Sequence, residues 1–341
     1  MGVMPPVPEM PVAARRPSRS AVRAGILLAV GALWLAEALP TVAGALTIAT
    51  FNAEFLTRPK VHVKFGHPFD LRGQDRKTWE TPGHRDAKFA EATRRVARYI
   101  AEHAPADVLA LTEVGDRRDV AELRDRLAEQ GLDLPHVEVC DCTARRTAQH
   151  VAVLSRFPLT DAVRRLPGRE GYFEELDDPE SEADTGISKG LAARFEAAGR
   201  TFRLYAVHFA SERGGHWQDA QRIAQASILR RLTLAAINAG EHVIVAGDLN
   251  DRRGDPALRR VRGLDDIWPD LTQTGHHRFF RDDGERWTIE FRGLREQLDH
   301  ILLSRSILAA AKRGGIRAST GPTPGKGVSD HRPLIVTLTF R

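Results

Sequence analysis

The segment Ser329-Asp330-His331-Arg332-Pro333 combines side chains that can bind a metal ion, hold a phosphate oxygen or carry a proton. It runs directly into the apolar stretch Leu334-Ile335-Val336, which is typical of a β-strand. An aspartate and a histidine held at a strand start can divide two tasks between them, one steering a cation and the other contacting phosphate. The pentapeptide therefore indicates metal-assisted chemistry on a phosphate group.

Upstream segments repeat this design, because each places a carboxylate, carboxamide or imidazole at the edge of a short β-rich run. Any one of these polar residues alone is more often a solvated strand end or a turn residue. Because the same pattern recurs in five segments, solvated strand ends or turn residues do not account for the set as a whole. The segments are 47–52 ending at Asn52, 108–113 ending at Glu113, 204–208 ending at His208, 243–250 containing Asp248 and Asn250, and 297–304 containing Asp299.

Oxygen donors dominate this set, which favours a hard divalent cation. Magnesium keeps several waters and uses only one or two carboxylates together with substrate phosphate. Asn52, Glu113 and Asp330 are the predicted metal ligands, and the sequence has no Cys-rich or His-x-x-x-His zinc pattern to compete with them. We expect Mg²⁺ or Mn²⁺, with Ca²⁺ as an alternative.

Apolar periodicity predicts a mixed α/β architecture in which helices cover the sheet strands. Continuous apolar strands indicate sheets buried on both faces, whereas a turn at Ala198-Gly199-Arg200 predicts an antiparallel hairpin. Residues 164–189 are acidic and contain Pro and Gly, so we expect a solvated surface insertion. Predicted helices cover 86–103, 120–129 and 220–236, and further strands cover 150–155, 191–197, 201–207 and 334–340.

The chain resembles the endonuclease/exonuclease/phosphatase superfamily, a group of DNase I-like metal-dependent phosphodiesterases. Gly247-Asp248-Leu249-Asn250 and Ser329-Asp330-His331-Arg332-Pro333 are the most specific motifs, and the resemblance covers nearly all of residues 46–341. It implies a four-layer α/β/β/α sandwich of two packed mixed β-sheets flanked by helices. A single catalytic domain over 46–341 is the expectation.

The resemblance also implies roles for individual residues. Asn52, Glu113 and Asp330 would form the metal site. Asp248 would orient or deprotonate the attacking water, and Asn250 would hold a phosphate oxygen. His331, oriented by Asp299, and His208 would bind the scissile phosphate or transfer protons. We expect His300 to be structural, because it points to the face opposite Asp299 on a strand.

Substrate preference depends on a run of arginines after the Asp-Asn motif, here called the arginine cluster: Arg252, Arg253, Arg259, Arg260 and Arg262. Such a cluster can meet several phosphates, with Arg252 and Arg253 closest to the motif. Trp287 and Phe291 could stack bases, or they could be core residues. The main prediction is a nuclease acting on DNA or RNA. The alternatives are a phospholipid or sphingomyelin phosphodiesterase or phosphatase of the same superfamily, and a degenerate scaffold used only for binding.

The first 45 residues have the pattern of a secretory signal peptide. Four arginines, among them Arg15-Arg16, precede the apolar run 24–36, and Ala43-Gly44-Ala45 provides a cleavage-type site. The run is shorter than the roughly 20 residues of a spanning helix. We therefore expect a secreted or periplasmic protein with no stable membrane insertion after processing, the alternative being an anchor that leaves the domain outside. The arginine pair leaves twin-arginine export open beside the general pathway.

Composition says little about partners. The net charge of +5 and pI of about 9.5 invite a nucleic-acid interpretation, but the N-terminal arginines supply part of the charge. Nothing in the sequence indicates a protein partner, and we expect a monomer. The two cysteines, Cys140 and Cys142, are interpreted as loop residues without a catalytic role, the alternative being a metal site with His136 nearby. A disulfide between them would close a very small ring and is not favoured.

Overall fold

The computed structural model describes residues 44–59, 81–142, 147–175, 178–212, 215–263, 269–280, 285–325 and 327–341. The predicted signal segment, apart from its last two residues, lies outside these ranges. Strands follow along the chain as β1 (Ala45–Leu56), β2 (Val108–Val114), β3 (His136–Val139), β4 (His150–Ser155), β5 (Thr160–Val163), β6 (Glu170–Phe173), β7 (Glu182–Thr185), β8 (Gly190–Ala197), β9 (Arg200–His208), β10 (His242–Asp248), β11 (Leu271–Gln273), β12 (Ile289–Phe291), β13 (Leu294–Glu296), β14 (Asp299–Ser304), β15 (Ala311–Thr320) and β16 (Leu334–Phe340). Helices are α1 (Pro82–His103), α2 (Arg117–Glu129), α3 (His216–Asn238), α4 (Pro256–Arg262) and α5 (Arg305–Ala310).

Two six-stranded mixed sheets form the centre of the domain. The first sheet has the strand order β15-β16-β1-β2-β4-β3, and the second has the order β11-β14-β10-β9-β8-β5. Each sheet contains a central parallel pair, β1 with β2 and β9 with β10, and antiparallel neighbours outside it. The ends of parallel neighbours meet at one edge, so polar residues that follow these strands are brought together.

The burial of β1 explains its nearly continuous apolar sequence. Ile48 packs in the core between the two sheets, whereas Phe51 packs in a separate core beneath α1 and α2. On the far side of the second sheet, Val245 packs with Leu258 in a third core beneath α3 and α4. The order of layers is therefore helix, sheet, sheet, helix, and the predicted α/β/β/α sandwich is confirmed.

Each predicted helix is present but begins earlier than the periodicity indicated. α2 starts at Arg117 because the Asp116 side chain accepts hydrogen bonds from the amides of Arg118 and Asp119, which is an N-cap. α1 starts with Pro82 in its first turn, where a missing N–H costs nothing. The predicted hairpin is confirmed as well, because Ala197 pairs with Arg200 across the turn.

Strand β15 escaped prediction for a physical reason. It is an edge strand with alternate exposed polar residues and two glycines, and its register with β16 shifts between Ala311 and Ile316. The close approach of Gly315 to Thr339 O leaves no room for a side chain there. Such a bulged, Gly-containing edge weakens the period-2 signal.

The insertion at 164–189 is not simply a solvated loop, which corrects the expectation. β6 and β7 pair as an antiparallel hairpin, and the residues on either side of it, Leu166 and Ile187, are buried in the core beneath α3. An ion pair between Glu170 and Arg231 also links the hairpin to that helix. The acidic, Gly-containing composition of the segment gave no indication that these two residues are buried.

Cys140 and Cys142 are joined in a disulfide, which corrects the expectation that so small a ring would disfavour the bridge. Cys140 is buried at the end of β3, and its sulfur accepts a hydrogen bond from the amide of Val151 in β4. The bridge therefore closes the loop that leaves β3.

Across the described part of the chain, every helix is too short or too polar to cross a membrane.

Candidate active site

Three strands of the second sheet bring His208, Asp248 and Asp299 side by side. Asp248 is paired in register with His208 on β9 and with Asp299 on β14. Gly247 makes this possible, because its φ of 139° is one that other residues rarely adopt and a Cβ there would collide with Val207 O. All three polar side chains are buried at this edge.

Two residues of the first sheet face this group from across the sandwich. The Asn52 side-chain amide donates to Asp248 Oδ2 at 2.9 Å, so it joins the two sheets directly. Glu113 occupies the register shift between β2 and β4 with a φ of 58°, and its Oε2 accepts a hydrogen bond from Phe55 N at 3.0 Å. A left-handed glutamate at a bulge is a backbone outlier of the kind found at functional sites.

The C-terminal motif completes the cluster through a buried ion pair. His331 Nδ1 lies 2.7 Å from Asp299 Oδ2, and the two side chains are 7% and 0% exposed. Ser329 fixes the turn, because its hydroxyl donates to Asn52 O and accepts from His331 N. Burial alone would lower the pKa of His331, but the charge and hydrogen bond of Asp299 raise it well above its ordinary value. His331 is therefore a cation at neutral pH.

The buried position of Asp248 favours its protonated form. Burial raises the pKa of Asp248 to about 7, and the neighbouring charge of Asp299 acts in the same direction. The cation on His331 and hydrogen bonds from Asn250 N and the Asn52 amide oppose this rise. A carboxylate with a pKa near neutrality is suited to accept and release a proton.

His208 lies between the carboxylates of both sheets. Its Nε2 is 3.8 Å from Glu113 Oε1, 3.8 Å from Asp248 Oδ2 and 3.3 Å from Lys189 Nζ. Burial lowers the pKa of His208 well below its ordinary value, and the cations of Lys189 and His331 lower it further. The two predicted histidines therefore have opposite charge states, His331 cationic and His208 neutral.

The remaining predicted residues lie in or beside the same cleft, which has a volume of about 740 Å³. Asp330 lines it with a side chain that is 43% exposed. Asn250 also lines it, in a left-handed conformation with its amide donating to Phe209 O at 3.1 Å. Arg252 lines it too, but its guanidinium pairs with Glu212 and Glu296, whereas Arg253 is exposed outside the set of lining residues.

His300 has the structural position expected for it. It is fully buried, its Nε2 lies 2.8 Å from Asp251 O, and its Nδ1 lies 2.9 Å from the Gln273 amide. Burial lowers the pKa of His300 to about 4. The His300 side chain is therefore a neutral, buried and hydrogen-bonded part of the second sheet. Of the other histidines, His62 and His67 lie outside the described residues.

The residues at this edge fit a divalent cation. Glu113, Asp248 and Asp330 place three carboxyl groups in one cleft, and a cation would offset their mutual repulsion. Glu113 and Asp330 would hold it with carboxylate oxygens. Asn52 already uses its Oδ1 to accept from Glu54 N, so its part in metal binding stays a prediction. Within the described residues, Asp248, Asp299 and His331 also have donor atoms close enough together to share an ion.

Sequence reasoning missed two cleft residues, Lys189 and Gln149. Lys189 precedes β8 and Gln149 precedes β4, at the same edge as the predicted residues. Burial lowers the pKa of Lys189 to about 8, although Glu113 and Asp248 raise it. A signal was present, because Ser188-Lys189-Gly190 also places a polar residue next to a β-rich run.

The aromatic residues divide between the two interpretations offered for them. Trp287 is a buried residue, with Arg332 and Arg295 stacked over its ring at 4.1 and 4.9 Å. Phe291 is 50% exposed and lines the cleft.

Solved structures of other proteins share this fold. The chain is similar in structure to TDP2 from C. elegans, with 16% identity, a TM-score of 0.52 and coverage of 86% of this chain and 75% of that one. It is also similar to an endonuclease/exonuclease/phosphatase from Bacteroides vulgatus, with 15% identity, a TM-score of 0.52 and coverage of 87% and 99%. A mutant of beta toxin from Staphylococcus aureus with bound magnesium ions has 14% identity, a TM-score of 0.53 and coverage of 85% and 98%. At these identities the structural likeness shows a shared fold.

No curated protein matches the chain in a sequence search. The model of the Endonuclease/Exonuclease/phosphatase family matches residues 49–331, which includes every predicted catalytic and metal residue. The chain therefore belongs to the Endonuclease/Exonuclease/phosphatase family, whose members are divalent-metal-dependent phosphoester hydrolases.

Proposed function

We propose that this protein is an exported, divalent-metal-dependent phosphodiesterase that cleaves DNA or RNA. One observation carries the phosphodiesterase proposal: the buried Asp299–His331 pair lies beside Asp248 at the same sheet edge that faces Glu113. This arrangement supplies a proton acceptor, a cationic phosphate ligand and an anionic metal ligand within one cleft. The degenerate-scaffold alternative is disfavoured, because each of these positions is filled.

The proposed roles follow from the electrostatics of each group. Asp248, whose pKa is near neutrality, orients the attacking water and accepts its proton. His331 holds a non-bridging phosphate oxygen as a cation, and Asn250 contributes a neutral hydrogen bond to the phosphate. His208, which is neutral, binds the scissile phosphate or transfers a proton. Glu113 and Asp330, with Asn52, would hold the divalent ion, which supplies Lewis-acid stabilisation of phosphoryl charge.

The arginine cluster is the support for a nucleic-acid substrate. Arg252 lines the cleft, and Arg259 and Arg260 are exposed on α4, which follows the catalytic motif directly. Cations beside a phosphodiesterase cleft can bind the flanking phosphates of a polymer. The ion pairs of Arg252 with Glu212 and Glu296 reduce this support, since a phosphate must compete with two carboxylates.

A phospholipid or sphingomyelin is the second candidate, and the hairpin β12–β13 favours it. Phe291 and Leu294 at its tip are 50% and 66% exposed and line the cleft. Thr288, which precedes the hairpin, is hydrogen-bonded next to the catalytic pair, because its O accepts from Arg332 N and its Oγ1 accepts from Asp299 N. Apolar side chains at a cleft rim suit the hydrophobic part of a lipid.

An activity panel on purified mature protein tests the proposal. Plasmid DNA, single-stranded DNA, RNA and sphingomyelin vesicles are incubated with Mg²⁺ or Mn²⁺, with and without a chelator. We expect chelator-sensitive cleavage of a polynucleotide, and loss of that cleavage in Asp248→Asn. Vesicle hydrolysis without polynucleotide cleavage would replace the nuclease with the lipid candidate. No hydrolysis of any phosphodiester at any metal concentration would refute the phosphodiesterase itself.

Export is proposed from the sequence pattern of the first 45 residues, and the substrate would then be met outside the cytoplasm. We propose that the mature protein acts as a monomer without a protein partner.

A further inference from the structure

Lys189 lines the cleft, and the roles proposed for the other cleft residues do not account for its contacts. Its Nζ lies 3.2 Å from Gln149 Oε1 and 3.3 Å from His208 Nε2. Its main-chain carbonyl also accepts a hydrogen bond from His208 N at 2.9 Å. The lysine is thus attached by side chain and backbone to a residue of the active site.

The local sequence fixes where this ammonium stands. Lys189 enters β8 at Gly190, where an added Cβ would lie 2.9 Å from Ile187 and 3.0 Å from Leu166. Glycine avoids these close contacts with neighbouring side chains at the start of the strand. Gln149 precedes β4 in the first sheet and is only 4% exposed, so the Gln149–Lys189 contact joins the two sheets across the cleft.

The ammonium of Lys189 and the guanidinium of Arg252 have different kinds of partner. Among the described lining residues, Arg252 is held by carboxylates, whereas the side-chain contacts of Lys189 are to a neutral amide and a neutral imidazole. Neither contact neutralises the ammonium, which interacts electrostatically with Glu113 and Asp248 but has no hydrogen bond to a carboxylate among its side-chain contacts. An ammonium has three N–H donors, so two fixed contacts leave one donor for an anion in the cleft.

We propose that Lys189 binds a non-bridging oxygen of the scissile phosphate, and that Gln149 is a positioning residue that aims the ammonium at it. The inference rests on the proposed phosphodiesterase function. The lysine adds a third point of phosphate recognition to His331 and Asn250. It approaches from the side of β8, next to His208. Charge-assisted donors of this kind stabilise the negative charge that the phosphoryl oxygens carry during cleavage.

Binding of inorganic phosphate, measured by calorimetry in the presence and absence of Mg²⁺, tests the lysine without requiring turnover. Lys189→Met keeps the length of the side chain and removes its charge. We expect phosphate affinity to fall about 10- to 100-fold, the scale of one hydrogen bond to a charged group. We expect kcat/KM for bis(p-nitrophenyl) phosphate to fall about 100-fold at saturating metal. Lys189→Arg, which keeps the charge, should recover part of both losses.

The matched control is Lys312→Met, which removes an exposed lysine from β15 outside the set of cleft-lining residues. Its phosphate affinity and kcat/KM should equal those of the parent protein. Melting temperatures verify that each variant is folded. If Lys189→Met does not fold, Lys189→Gln takes the same test with a shorter neutral side chain.

Gln149 has a separate test, because a positioning residue should act only through the lysine. Gln149→Leu should weaken phosphate binding and raise KM more than it lowers kcat. The double variant with Lys189→Met should be no weaker than Lys189→Met alone. Gln149→Glu, which places a carboxylate against the ammonium, should weaken phosphate binding at least as much as Gln149→Leu, because phosphate must then compete for the lysine.

Two results would overturn the proposal: a folded Lys189→Met protein that keeps its phosphate affinity within twofold, or fully additive losses in the double variant. The proposed function fails in a different way. If the parent protein binds phosphate through Lys189 but hydrolyses no phosphodiester, the lysine site stands and the phosphodiesterase function does not.

Discussion

Replacing Asp299 by asparagine removes one charge from the catalytic pair and leaves the size of the side chain unchanged. Asp299 is fully buried, and its Oδ2 lies 2.7 Å from His331 Nδ1, so solvent screens this contact little. A hydrogen bond between charged groups contributes about 2–3 kcal/mol. Loss of that energy in the transition state corresponds to a decrease of about 30- to 150-fold in kcat/KM.

The same substitution should also change the pH dependence of kcat/KM, which is an independent test. Burial lowers the pKa of His331, but Asp299 outweighs it and raises the pKa well above 6.5. The cation, and the stability that it contributes, is therefore present below the unfolded value and is lost as the pH rises through the folded pKa. In Asp299→Asn the alkaline limb of the kcat/KM profile should move to lower pH.

A chromogenic phosphodiester assay at saturating Mg²⁺ measures both effects. Asp299→Asn should resemble His331→Ala, and the double variant should be little worse than either alone, because the carboxylate acts through the imidazole. Asp125→Asn, a change of the same kind at a side chain that is 62% exposed on α2, is the matched control and should keep full activity. Fully additive losses, or an alkaline limb that does not move, would refute the pairing.

Three further results are expected. Asp248→Asn should lose about 100-fold or more at every metal concentration, because it removes a proton acceptor rather than a metal ligand; restoration by excess Mn²⁺ would contradict this. Neutralising the arginine cluster should weaken polynucleotide cleavage and flatten its salt dependence while small phosphodiesters are cut as before; an unchanged salt slope would remove the local support for a nuclease. N-terminal sequencing of the exported protein should find a start near Leu46, and an intact Met1 in a soluble cytosolic fraction would refute processing.

The architecture was largely predictable because the strands are buried on both faces. Continuous apolar runs such as that of β10 are limited in length and end at polar residues, so both the strand and its functional end could be read. The four layers came from the family resemblance rather than from periodicity. The starts of α1 and α2 were predicted too late, because the proline at the start of α1 and capping of α2 by Asp116 extend these helices beyond their apolar patterns.

The polar contacts between the sheets could not be predicted from spacing. Nothing in the sequence indicates that the Asn52 amide reaches Asp248, or that Gln149 meets Lys189 from the opposite sheet. The opposite charge states of His208 and His331 could not be predicted for the same reason. Each depends on burial and on neighbours that are distant in sequence, a lysine in one case and an aspartate in the other.

The metal dependence of Glu113→Ala tests the central claim most directly, namely that carboxylates from the two sheets and the C-terminal motif form one metal-dependent phosphodiesterase site. Hydrolysis of bis(p-nitrophenyl) phosphate is followed after chelation, as Mg²⁺ or Mn²⁺ is added back to the parent protein and to the variant. We expect chelation to abolish parent activity, and Glu113→Ala to need a higher metal concentration while recovering part of the lost rate. Hydrolysis that resists chelation, or the same half-saturating metal concentration in both proteins, would contradict the assignment of Glu113 to the metal site.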